Sequence, residues 1–355
     1  MQILGWIGKP VLVLLNQLGP PRTAEAEATD VQRWSRHLSR HAWVRDTVAF
    51  DAFARCWVQE HVLLERIGAV LPSGRQDSWR RLADAWKARN REVFGQSMQV
   101  LARQLATTAT DVAVVPPAGA AIAVRNWLGG LLRPPGELRG DGASTATTAA
   151  TDALAQRLDA EVRRATDELL ALHGLSGRAA AEVLQRMGAQ VAVDRAADPA
   201  KASVLGAAVT GALGGLAADL AAGGLTFGAG ALIGGLLGAA GARGLASAYN
   251  LARGSDATTV RWSGEFMTGR ATGAVLRYLA VAHFGRGRGD FVASEYPAHW
   301  RPRVDAAVAS RRPQLDAIWS AAEHGDPAAV LESRLRPSLE AIASEVLESL
   351  YAAGV

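Results

Sequence analysis

The side chains best equipped for chemistry are few in this chain and stand far apart. Histidines occur at positions 37, 41, 61, 173, 283, 299 and 324. His37 and His41 are one helical turn apart, a spacing two metal ligands could share, but no third ligand stands near them, so no metal site is expected. Cys56 is the single cysteine. An intrachain disulfide is therefore impossible, and a lone thiol fits a reducing cytosol. Aspartate and glutamate are dispersed, with no paired-carboxylate or Ser/His/Asp arrangement to assign. No small-molecule substrate can be named from these residues.

Phosphoryl transfer needs a phosphate cradle, its lysine and a magnesium ligand. Only three lysines are present, Lys9, Lys87 and Lys201, and none closes a Gly-x-x-x-x-Gly-Lys-[Ser/Thr] loop. Lys9 is followed by Pro10, while the glycine-rich segments 223–241 and 285–289 contain no lysine at all. Nucleotide hydrolysis by this chain as written is not expected.

The elements that must carry these residues begin with Val11-Leu-Val-Leu-Leu15, a continuous apolar run of strand length. Pro10 opens it and Asn16-Gln17-Leu18-Gly19-Pro20-Pro21 closes it. That is how a buried parallel strand ends in a loop. A helix is predicted over 25–41, a second short strand over 47–50 and a long amphipathic helix over 53–71. Strand, helix, strand, helix is an α/β pattern. With only two strands in some seventy residues, its faces and edges stay uncovered, so this segment reads as part of a larger sheet.

Residues 11–19, VLVLLNQLG, resemble the fourth guanine-nucleotide motif of small P-loop GTPases, the Asn-Lys-x-Asp element at the end of a core strand. Residues 47–50 stand where that family's fifth motif would be. The whole chain resembles the carboxy-terminal portion of bacterial Era-like P-loop GTPases joined to domain of unknown function 3482. The likeness is strongest in 9–19, in 49–60 (AFDAFARCWVQE) and around 216–238. It implies that Asn16 meets the purine through its amide, that Gln17 replaces the lysine whose stem stacks on the base, and that Ala49 offers its backbone N–H to O6. Gly19 stands where the usual aspartate reads the guanine edge. That departure removes the polar group that would favour guanine over adenine. GTP and magnesium belong to the intact family; for this chain alone no cofactor is expected.

Beyond residue 72 the pattern is helical. One long amphipathic helix is predicted over 77–110, with Trp79, Leu82, Trp86, Val93, Met98, Leu101 and Leu105 on its apolar side. A shorter helix over 118–132 and a Pro/Gly/Ser/Thr linker over 133–150 follow. Helices are then expected over 151–173 and 176–187, with Gly174 as a C-cap between them. Further helices are expected over 258–284, 304–323 and 327–353. The domain division is 1–72 partial GTPase-like α/β, 73–132 helical, 133–150 linker and 151–355 helical.

Within the last part, 202–242 stands out: Asp219 is its one charge, and twelve of its residues are glycine. Gly211/Gly215, Gly224/Gly228 and the series Gly230/Gly234/Gly238 fall at four-residue intervals, so small residues share a helix face and let two backbones approach closely. Gly223-Gly224 divides the segment into two pieces, each near the roughly 20 residues that cross about 30 Å of hydrocarbon. Arg195, Lys201, Arg243 and Arg253 flank it, which would keep both ends cytoplasmic. A glycine/alanine helical hairpin buried in protein has the same pattern, so lipid and protein surroundings both stay open.

Alanine, with 71 residues, and glycine, with 37, dominate the composition, and aromatics make up 6%. That profile excludes disulfide-rich, collagen-like and sandwich classes. The net charge of +4, spread over 355 residues, is too weak to require nucleic acid, which is not an expected partner. The fold class expected is mostly α: a partial α/β amino-terminal segment followed by a long helical domain with a Gly/Ala-rich hairpin. The function expected is the non-catalytic part of a GTPase-related protein, cytoplasmic, docking on the inner membrane or on a homo-oligomeric partner through the hairpin. Two alternatives stand beside it: a structural helical protein self-associating through its Gly-x-x-x-Gly faces, and an intact GTPase whose true start lies upstream.

Overall fold

The computed structural model describes residues 2–15, 24–50, 56–115, 142–175, 249–253, 258–284 and 300–351. Its fold is mostly α, with two small sheets. A short helix α1 (Gln2–Ile7) leads into β1 (Val11–Leu15), α2 (Ala24–Leu38) and β2 (Val44–Ala49). β1 and β2 pair in parallel, from Leu12 opposite Asp46 to Leu15 opposite Ala49. β2 begins three residues earlier than the apolar pattern predicts, because Val44 finds a partner in Val11. α2 lies against β2, and Leu38, Val48 and Phe50 are buried there. Among the described residues no strand pairs with the other edge of β1.

α3 (Trp57–Val70) and α4 (Ser73–Thr110) form an antiparallel hairpin turned at Leu71-Pro72. Next to the turn the two helices are held closely. The Trp79 indole donates to the Leu64 carbonyl at 2.8 Å, and a Cβ added at Gly68 would come within 3.0 Å of the Trp79 ring. At 38 residues, α4 is about 57 Å long at 1.5 Å per residue. Only its carboxy-terminal half runs through the core, where Met98, Leu101 and Leu105 are fully buried. Leu82 and Trp86, expected on the apolar side, are instead 55% and 40% exposed. The amino-terminal half of α4 packs on α3 and leaves Leu82 and Trp86 toward solvent, so periodicity there is not matched by burial.

Strand β3 (Val112–Val115) follows α4, and helix α5 (Gly142–Leu172) begins within the segment predicted as a linker. Gly174 ends α5 as expected, at φ 67°. Its N–H donates to the Ala171 carbonyl and that of Leu175 to the Leu170 carbonyl, the paired bonds of a Schellman cap. β4 (Tyr249–Arg253) and β5 (Thr258–Trp262) complete a three-stranded antiparallel sheet in the order β3-β5-β4. Neither β3 nor β4 was anticipated, and β5 replaces the start of the helix predicted over 258–284. The β-branched run Thr258-Thr259-Val260 pairs with β3 on one side and β4 on the other. Helix α6 (Gly264–Phe284) then starts where Ser263 Oγ accepts the Phe266 N–H at 3.2 Å.

The closing region comprises α7 (Trp300–Ser310), α8 (Arg312–Glu323) and α9 (Ala328–Tyr351). One helix was expected over 304–323. Pro313 lies in the first turn of α8, where its missing N–H costs nothing, and the chain breaks just before it. α9 lies along α4 and buries Leu331, Leu335, Leu339, Ile342 and Val346, one helical face at intervals of four and three. Each such side chain contributes roughly 1.5–3 kcal/mol. Pro337 sits inside α9 on its exposed side, so the carbonyl it leaves without a helical donor faces water.

Candidate functional site

The amino-terminal pair of strands is the first candidate. Ala49 ends β2 opposite Leu15, the last residue of β1, and the Phe50 N–H donates to the Leu15 carbonyl at 3.0 Å. Leu15 and Ala49 therefore end their strands at the same edge, the carboxyl edge where parallel sheets bind ligands. Asn16, Gln17 and Gly19 lie outside the described residues. So do Gly211, Gly215, Gly224, Gly228, Gly230, Gly234 and Gly238, together with all of 202–242 and the helices expected over 118–132 and 176–187.

A second arrangement was not read from the sequence. α4 carries three buried polar residues at intervals of seven, Asn90, Ser97 and Gln104. Each meets a different element. Asn90 Nδ2 lies 3.3 Å from His61 Nε2 on α3, and Ser97 Oγ lies 3.2 Å from His173 Nε2 at the end of α5. Gln104 Oε1 accepts from Arg277 Nη2 on α6 at 2.6 Å. Buried polar groups must be hydrogen-bonded, and three at fixed spacing set the register of three partners at once. A seven-residue polar period beside the apolar stripe of an amphipathic helix is the signal that could have revealed them.

Around this seam the rings of Trp57, His61, Phe94, His173 and Tyr278 pack edge to face or tilted. The chemistry available is limited. Ser97 Oγ also lies 2.7 Å from the Val93 carbonyl, so its hydrogen is committed there and His173 must donate to the oxygen. A nucleophilic serine needs the opposite arrangement, with histidine accepting the hydroxyl proton, and Ser97 is fully buried. His61 has its pKa lowered by burial first, then by the charges of Lys87 and Arg91. An Asn90 amide donating to Nε2 suits the neutral ring in the same way. At the far end of α6, His283 Nδ1 donates to the Leu279 carbonyl and Nε2 accepts from the Tyr351 hydroxyl. This ties the end of α9 to α6.

A shallow cleft of about 390 Å³ opens where α4 meets α5. Thr107, Thr110, Asp111, Arg157 and Glu161 line it. Arg157 Nε donates to both Asp111 oxygens at 3.0 and 2.8 Å, which raises its pKa. Its charge is thus engaged. Among the described residues, no three His, Cys, Asp or Glu side chains converge on a metal position, and no helix is long and apolar enough to cross a membrane.

Fold and site together define a helical domain organised around a long central helix, with a small parallel strand pair at its amino-terminal end. The family described as domain of unknown function (DUF3482) matches residues 37–336, and the chain belongs to that family. β1 lies ahead of the matched range and pairs with a strand inside it. No curated protein and no solved structure matches the chain.

Proposed function

We propose that the chain is the docking part of a GTPase-related protein: β1, α2 and β2 belong to the carboxyl side of a nucleotide-binding sheet, and the helical domain links it to a membrane or to a second copy. The observation that supports this reading is the parallel register of Leu15 with Ala49, which ends both strands at one edge of the sheet. The bareness of β1 agrees with it. A continuous apolar strand is normally flanked on both edges and covered on both faces, yet Leu14 in β1 is half exposed. In this reading Asn16, Gln17 and Ala49 are remnants of a base pocket, and the phosphate-binding residues come from another stretch of polypeptide. Docking runs through 202–242, whose glycine faces suit close helix packing in lipid or in protein.

An antibody against α9 tests the reading. Native protein is immunoprecipitated and its peptides are sequenced. Peptides carrying a Gly-x-x-x-x-Gly-Lys-[Ser/Thr] loop, in the same polypeptide or in a stoichiometric partner retained on immobilised GTP, support it. Recovery of the chain alone, at 37.2 kDa and without GTP retention, overturns it.

A further inference from the structure

Helix α6 is apolar over most of its length, yet two arginines are buried in it, Arg270 and Arg277. They stand seven residues apart, about 10.5 Å along the axis, and so share one face. Arg277 is anchored by Gln104. Arg270 is only 5% exposed, and its Nε and Nη1 have no hydrogen-bond partner. Among the described residues it forms no ion pair. A buried charge left in this state is strongly unfavourable, and proteins keep one only where something compensates it. Burial pushes the Arg270 guanidinium down to about 10, with no opposing charge to restore it.

Room for the compensating group lies beside it. Gly273 is three residues after Arg270 and four before Arg277, which puts it between them on the same face. A Cβ added at Gly273 would meet nothing within 4 Å. Across the interface on α4, Gln104 Nε2 is a further buried donor without a partner. Along one face α6 thus carries two guanidinium groups and open space over a glycine, and the α4 amide that meets Arg277 adds a buried N–H donor.

We propose that α6 and α4 form an anion site over Gly273, with Arg270 as its principal ligand, and that it takes a free phosphate ion or the phosphate group of a small phosphomonoester. A tetrahedral oxyanion accepts hydrogen bonds in several directions at once, which matches donors arriving from two helices. A carboxylate presents a single planar fork. The site is separate from the β1–β2 pair and does not depend on any relation to GTPases.

Thermal unfolding of the full chain tests it, in sodium phosphate against sodium chloride at equal ionic strength. Phosphate is expected to raise the Tm by a few degrees, through binding to the folded state alone. Arg270→Met is expected to unfold no earlier than the wild type in chloride, since it removes an uncompensated charge, and to lose the phosphate response. Gly273→Leu, whose Cβ meets no atom within 4 Å, is expected to stay folded and to lose the response as well. An equal phosphate response in either variant means an adventitious ion only and overturns the site. So does no response in the wild type, or a large loss of stability of Arg270→Met in chloride. Cosedimentation with phosphatidic acid/phosphatidylcholine vesicles separates the sources. Binding to those vesicles with no response to free phosphate overturns the proposal too.

Discussion

The Trp57 indole N–H donates to the Tyr278 hydroxyl at 3.0 Å across 221 residues of sequence. This bond fastens α3, the first helix after the strand pair, to α6 in the heart of the helical domain. Tyr278 is fully buried, with Phe94 and His173 against its ring. Tyr278→Phe should cost about 0.5–1.5 kcal/mol, the usual net worth of one hydrogen bond. Tyr278→Ala should cost about 3–5 kcal/mol by adding a cavity. Urea unfolding gives both values as shifts in midpoint at unchanged slope.

His61 makes stability depend on pH. Its folded pKa lies below the ordinary 6.5, so between those two values the unfolded chain holds a proton that the folded chain does not. Stability therefore rises with pH through that window and falls on acidification below 6.5. The Tm of the wild type should drop more between pH 7.5 and pH 5.5 than that of His61→Gln, whose amide cannot titrate. Equal drops in both proteins would assign the effect elsewhere.

Cys56 is the fully buried residue just ahead of α3, and its backbone N–H is bonded to Gln59 Oε1 at 3.0 Å. A thiol without solvent contact does not react until the fold opens. Labelling by a chromogenic disulfide reagent should be slow in native buffer and stoichiometric in denaturant. Rapid labelling of folded protein would show that this part of the domain opens readily.

The chain by itself should neither release phosphate from GTP nor bind GTP at micromolar concentration, because no phosphate cradle with its lysine exists in the sequence. Calorimetric titration of residues 1–355 with GTP measures this directly. A micromolar site would mean that the base contacts suffice.

Carbonate-washed membranes should retain the wild-type chain if 202–242 docks in lipid, and deletion of that segment should release it. A chain wholly in the soluble fraction without detergent assigns the glycine faces to a protein core. Gly234→Leu should then cost about 1–3 kcal/mol by overpacking.

How much of this was legible in the sequence varies with the range of the interaction involved. β1 runs over the residues its apolar run predicted, because Pro10 and the turn residues after Leu15 bound it locally. Gly174 ends α5 as predicted, because a left-handed cap is a property of that one residue. The strands β3, β4 and β5 were missed. Four or five residues each, they exist through pairing with one another, and β5 sits centrally between partners more than 140 residues away and next to it. The candidate sites divide in the same way. Asn16, Gln17 and Ala49 were singled out because a motif is local. Arg270, Gly273 and Gln104 were not, since nothing in the order of residues says that α6 lies against α4.

By itself the sequence determined the helical class, the punctuation of the elements by proline, glycine and serine, and the absence of a phosphate-binding loop. These follow from period, local backbone preference and residue identity. Only the tertiary structure decided which polar side chains of α4 are buried, that burial lowers the pKa of His61, and that Arg270 lies in the core with no ion-pair partner among the described residues. Burial and electrostatics depend on what packs across from a residue, and that partner stands up to 173 residues away along the chain for Gln104 and Arg277.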